Sequence, residues 1–128
     1  MSLRVLFTIA AIYMAVVGIG LIFAPQAFGT GAVPADASDT LLAYLRVFGS
    51  PFLGIAVVNW VARDAEPSTG RRAIVLGNVV GFAAIAALDV WGVVSGGREP
   101  TKVFAVIHLL FAVAFLWVGR TSKSVRMS

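Results

Sequence analysis

The sequence predicts an all-α fold: a polytopic membrane protein built as an antiparallel bundle of four transmembrane helices, with both termini cytoplasmic. Three observations predict it. Of 128 residues, 59% are apolar and 12% charged, with a mean hydropathy of +0.94, whereas a soluble domain carries about 25% charged residues. The apolar residues gather into four long blocks separated by short polar segments. These blocks are apolar all round rather than alternating, which excludes membrane β-strands. The solvent for most of the chain is therefore lipid, and residues 1–128 form a single transmembrane domain.

A bilayer core about 30 Å thick takes about 20 apolar residues of helix. Span one covers 5–23 and is stopped by Ala24-Pro25. It is expected to be retained, because no convincing small-x-small cleavage site follows it. The next segment, 25–40, is rich in Gly, Pro, Ala and Asp, and reads as a surface loop or a partly ordered cap. Span two covers 41–62, and Asp36, Ser38, Asp39 and Thr40 offer N-cap side chains ahead of it. Span three covers 73–94, capped by Ser68-Thr69-Gly70 and ended by Ser95-Gly96-Gly97. Pro100-Thr101 opens span four, 103–118, which is short unless Lys102 and Arg120 snorkel to the interfaces. Trp60 and Trp117 fall near one boundary and Trp91 near the other, as aromatic belts do.

Orientation follows from the basic residues. Arg4, Arg63, Arg71, Arg72, Arg120, Lys123 and Arg126 fall on one side, against Arg98 and Lys102 with the acidic Asp36 and Asp39 on the other. The positive-inside bias puts the first set in the cytoplasm. The net charge of +4 and pI of about 10.4 then mean anchoring to anionic lipid, and nucleic acid is excluded as a partner because no basic fold lies outside the membrane.

The polar residues inside the spans are the candidates for function, since each needs a partner or a wet cavity. Arg46, Asp89 and His108 each lie five residues from the outer end of their span, which predicts one layer roughly 7–8 Å deep. Tyr44 and Ser50 flank Arg46. This layer is expected to be either an ion pair that fixes helix register or a pocket for a ligand. Asn59 and Asn78 form a second polar layer nearer the inner side, although Asn59 falls about 140° from the Arg46 stripe on an ideal helix. Pro51 predicts a kink in span two. Gly49 and Gly54, with the GxxxG run Gly77-Asn-Val-Val-Gly81, are expected to let helices pack closely within the bundle or at a homo-oligomer seam.

The inventory also excludes chemistry. With no cysteine there is no disulfide, thiolate metal site or iron–sulfur cluster, and one histidine makes no multi-histidine metal site. A haem would need its second ligand from another subunit. No cofactor and no catalytic residue are assigned, since paired carboxylates, a Ser/His/Asp set and a phosphate loop are all missing from the spans.

The run Leu45-Arg46-Val47-Phe48-Gly49, then Gly54, then Asn59-Trp60-Val61-Ala62-Arg63 resembles the second span of DoxX-like and related small bacterial inner-membrane proteins of unknown function. Phe23-Ala24-Pro25 and His108-Leu109-Leu110-Phe111-Ala112 are similar to theirs as well. The resemblance implies a four-helix bundle in a bacterial cytoplasmic membrane. Some members are linked to quinone or thiol oxidation systems, and without cysteine the thiol chemistry does not carry over. The expected function is that of a binding or accessory membrane protein holding a small amphipathic ligand or lipid. The alternatives are an oligomeric channel or transporter and a structural subunit of a membrane complex or quinone-linked enzyme.

Overall fold

Helices form where the apolar blocks predict them. The computed structural model describes residues 1–28, 33–96 and 100–124. Their order is α1 (Leu3–Phe23), α2 (Pro25–Phe28), α3 (Asp39–Ala62), α4 (Thr69–Val94) and α5 (Pro100–Ser124). All but the single turn α2 contain a stretch long and apolar enough to cross a membrane, so this is a multi-pass membrane protein. The expected stop at Gly97 and the basic residues Arg98 and Arg126 lie outside the described residues.

Local chemistry sets the ends. Ser2, Ser38 and Ser68 each accept the backbone N–H three residues on, satisfying one orphan donor of α1, α3 and α4. Gly96, at φ +85°, turns the chain out of α4 through the left-handed region that a side chain disfavours. Pro100 opens α5 at the first helical position, where its missing N–H costs nothing. Helices α4 and α5 run further than the expected spans, starting at Thr69 and reaching Ser124. Hydropathy marks where oil ends, and polar residues such as Arg71, Arg72 and Arg120 remain good helix formers beyond it.

The packing is that of a protein dissolved in lipid. Large aliphatics such as Ile12, Val16, Leu88 and Leu110 point outward, while the interior holds small and aromatic residues: Ala10, Ala56, Ala86 and Ala112 around Phe7, Phe82 and Phe115. Small interior residues let backbones approach, which matters where the hydrophobic effect no longer drives helices together.

Two tight helix pairs result. Helix α1 packs chiefly on α3 and α4 on α5, with much thinner contact between the pairs. In the first pair, Gly18 and Gly49 face each other so closely that a Cβ on Gly49 would stand 2.7 Å from the Gly18 carbonyl oxygen. In the second, a Cβ on Gly119 would stand 2.8 Å from Val75 Cγ1. An aromatic column joins the pairs. Phe82 stacks on Phe111 at 4.5 Å, Phe7 meets Phe115 at 5.6 Å, and Tyr13 lies 5.2 Å from Phe111. Of Gly49, Gly54, Gly77 and Gly81, Gly49 alone packs closely against another helix of this chain. At Gly54, Gly77 and Gly81 a Cβ would meet nothing within 4 Å, because α3 and α4 stand apart where these residues lie.

Candidate functional site

Two polar ties cross between the helix pairs, and a cleft lies between α3 and α4. The first tie is built on His108, buried on α5. Its Nδ1 lies 2.6 Å from Asp89 Oδ2 on α4, and its Nε2 lies 2.7 Å from the Tyr13 hydroxyl on α1. A neutral imidazole with its proton on Nδ1 donates to the carboxylate and accepts the phenol proton, so both bonds are made in one tautomer. Phe104 stacks on the imidazole at 6.1 Å, and the Phe82 ring also lies 6.1 Å from it, tilted by 31°. An acid, an imidazole and a phenol in a row form the skeleton of a proton relay.

The expected partner of Asp89, Arg46, is not part of this hydrogen-bonded row. Arg46 is exposed and makes no ion pair among the described residues. Depth along a helix is not direction around it. The inward stripe of α3 runs Leu42, Leu45, Gly49, Phe52 and Ala56, at alternating steps of three and four. Arg46 stands one residue, about 100°, past Leu45. Ser50 and Val57 share its outward stripe, and Tyr44 is exposed too. Arg46 thus stands on the outward face of α3, without an interior ion-pair partner among the described residues. The layer that joins Asp89 and His108 takes its third member from α1: Tyr13, which sequence reasoning missed. A phenol near the middle of an apolar span needs a hydrogen-bond partner, and that requirement was the available signal.

The second tie joins Asn59 to Asn78, both buried. Asn59 Nδ2 donates to Asn78 Oδ1 at 3.1 Å, and Asn78 Nδ2 donates back to Asn59 Oδ1 at 2.7 Å and to the Ile74 carbonyl at 2.9 Å. This reciprocal pair pins α3 to α4 near the connection between them. The 140° offset that counted against it was measured from Arg46, whose stripe faces outward.

Beyond the amide pair the two helices part around a cleft of about 420 Å³. Its walls are Pro51, Gly54, Ile55 and Val58 on α3 and Ile74, Gly77, Gly81 and Ile85 on α4, with Met14, Phe82 and Asn78 also lining it. The volume is in the usual range for a small-molecule site, and the lining is apolar except for one amide. Phe82 forms a common wall, lining the cleft while its ring stands against Tyr13 and His108.

One end of the bundle is basic. Arg4 pairs with Asp64 at 2.9 Å and Arg63 with the same carboxylate at 3.0 Å, while Arg63 also stacks 3.3 Å over Trp60. Hydrogen bonding to Arg63, with the nearby charges of Arg4 and Arg63, holds the Asp64 carboxyl below its ordinary pKa. Arg71 lies beneath the core, its guanidinium carbon 5.7 Å from the Phe7 ring centroid and its Nε buried without an acceptor.

No group of three or more His, Cys, Asp or Glu able to hold a metal ion occurs among the described residues. No family model matches the chain, and no curated protein or solved structure is significantly similar to it. The functional reading therefore rests on the cleft and the two ties.

Proposed function

We propose that this chain is a small membrane binding or accessory protein that holds the apolar part of an amphipathic ligand or lipid in the α3–α4 cleft. In this reading the helices run up and down as an antiparallel bundle in a bacterial cytoplasmic membrane. Both termini and the connection between α3 and α4 face the cytoplasm, by the basic residues there. The single observation that carries the reading is the set Gly54, Gly77 and Gly81. These glycines line an apolar cleft on both walls, yet none touches anything within 4 Å of where a Cβ would be. Glycine inside a helix costs about 1 kcal/mol relative to alanine, and here no close helix contact offsets it. Smooth walls offset it if a hydrocarbon chain fills the space, since an apolar cavity gains dispersion contacts from an occupant and repels water. The Asn59–Asn78 pair ties the two walls together toward the basic end, and the His108 tie stands behind Phe82, which lines the cleft.

The test is cleft filling. After delipidation, native mass spectrometry of the wild type should retain an amphiphile that a Gly77→Leu/Gly81→Leu variant does not. Equal retention by both proteins would overturn the reading.

A second reading, a proton-coupled transporter or channel, draws on the Tyr13–His108–Asp89 chain, because titratable groups within spans mark proton paths. Proteoliposomes should then show a pH-driven flux that Asp89→Asn abolishes; the absence of flux excludes it.

A further inference from the structure

We infer that the occupant of the α3–α4 cleft is a lipid with an anionic phosphate headgroup, held by Arg71 at the basic end of the bundle. This inference rests on the cleft reading above. Its first support is position. Arg71, Asn78 and Ile85 are spaced by sevens on α4, so they share one stripe that drifts only about 20° per step, and Asn78 and Ile85 line the cleft. From Arg71 to Ile85 is about 21 Å of helix, more than the roughly 15 Å depth of one leaflet. A chain lying in the cleft thus brings its headgroup to the level of Arg71, in the first turns of α4.

The second support is charge. That end carries Arg4, Arg63, Arg71, Arg72 and Arg120 against Asp64 and Glu66. Arg4 and Arg63 already share Asp64, whereas Arg71 has no ion pair among the described residues and its buried Nε lacks an acceptor. The terminal N–H groups of this unpaired guanidinium suit the bidentate geometry of a phosphate.

The experiment compares four probes on the delipidated full chain by native mass spectrometry: dioleoylphosphatidylglycerol, dioleoylphosphatidylcholine, dioleoylglycerol and inorganic phosphate. The anionic lipid should bind about tenfold more tightly than dioleoylglycerol, one charge-assisted contact being worth about that factor, and phosphatidylcholine, whose choline neutralises the same phosphate, should fall between them. Arg71→Gln should erase the preference while leaving dioleoylglycerol binding unchanged, and Arg71→Lys should keep part of it. Gly77→Leu/Gly81→Leu should abolish binding of all three lipids. Equal binding of the three lipids, an undiminished preference in Arg71→Gln, or inorganic phosphate binding as tightly as the anionic lipid would overturn this inference while leaving the cleft itself in place. Lipid binding unaffected by the leucine pair would instead overturn the cleft reading.

Discussion

His108 Nδ1 stands 2.6 Å from Asp89 Oδ2, and the same ring holds the Tyr13 hydroxyl at 2.7 Å on its far nitrogen. One imidazole thereby ties α5 to α4 and to α1. The three helices otherwise meet through aromatic rings and small apolar side chains.

Removing the middle of that chain should cost more than trimming its end. His108→Ala leaves a carboxylate and a phenol, both part-buried, without their partner, and orphaning such a group costs about 1–3 kcal/mol each. Tyr13→Phe removes one hydrogen bond and should cost about 0.6–1.5 kcal/mol. Arg46→Ala, on the outward face, should stay within about 0.5 kcal/mol. Unfolding in mixed micelles measures all three. A loss on Arg46→Ala as large as that on His108→Ala would contradict the arrangement.

The amide pair makes a sharper claim, because each partner serves only the other and the Ile74 carbonyl. Asn59→Ala or Asn78→Ala alone should cost about 1–3 kcal/mol by orphaning the remaining amide. The double variant should cost less than the sum. A double-mutant cycle should give a coupling of about 0.6–1.7 kcal/mol, the range for polar contacts between membrane helices. Strict additivity would mean that the pair does not form.

What the sequence made legible was depth, and what it hid was direction. Counting inward from the span ends put Asp89 and His108 in one layer, and they touch. The same count placed Arg46 beside them, yet Arg46 lies about 100° off the stripe that carries Leu45 and Gly49. In lipid both faces of a helix are apolar, so periodicity gives little warning of which face turns inward. The glycines divide for a related reason. Gly49 and Gly77 look alike in sequence, but only Gly49 meets another backbone. Close approach is a property of the partner helix, which spacing along one helix does not reveal. The cleft followed from no motif, because it is made by residues that fail to touch.

Acid should weaken the basic end in a way that can be assigned to one residue. The Asp64 carboxyl is held below its ordinary value by its hydrogen bond to Arg63 and by the charges of Arg4 and Arg63. A carboxyl with a depressed folded pKa contributes stability above its unfolded value of about 3.9, and that contribution is lost as pH falls through the folded value. The melting temperature of the wild type should therefore fall more steeply than that of Asp64→Asn below about pH 4. The effect should be small and should shrink in high salt, since the group is exposed. Parallel melting curves for the two proteins at low salt would remove Asp64 from the account.

The glycines divide into two sets with opposite predicted responses. At Gly49 a methyl group would press on the Gly18 carbonyl oxygen at 2.7 Å and on Ile22 Cγ1 at 2.6 Å, and at Gly18 it would meet the Gly49 carbonyl oxygen at 2.9 Å. Backbone cannot yield as a side-chain tip can, so Gly49→Ala should force α1 and α3 apart and destabilise by about 1–3 kcal/mol. At Gly54, Gly77 and Gly81 the same methyl group meets nothing. Alanine there restores helix propensity, and each substitution should be neutral or stabilise by up to about 1 kcal/mol. Thermal unfolding of the four single alanine variants decides between a bundle that needs all its glycines for packing and one that uses some of them to hold a gap open. If Gly77→Ala and Gly81→Ala destabilise as much as Gly49→Ala, those residues are in helix contact and the cleft between α3 and α4 is closed in the folded protein.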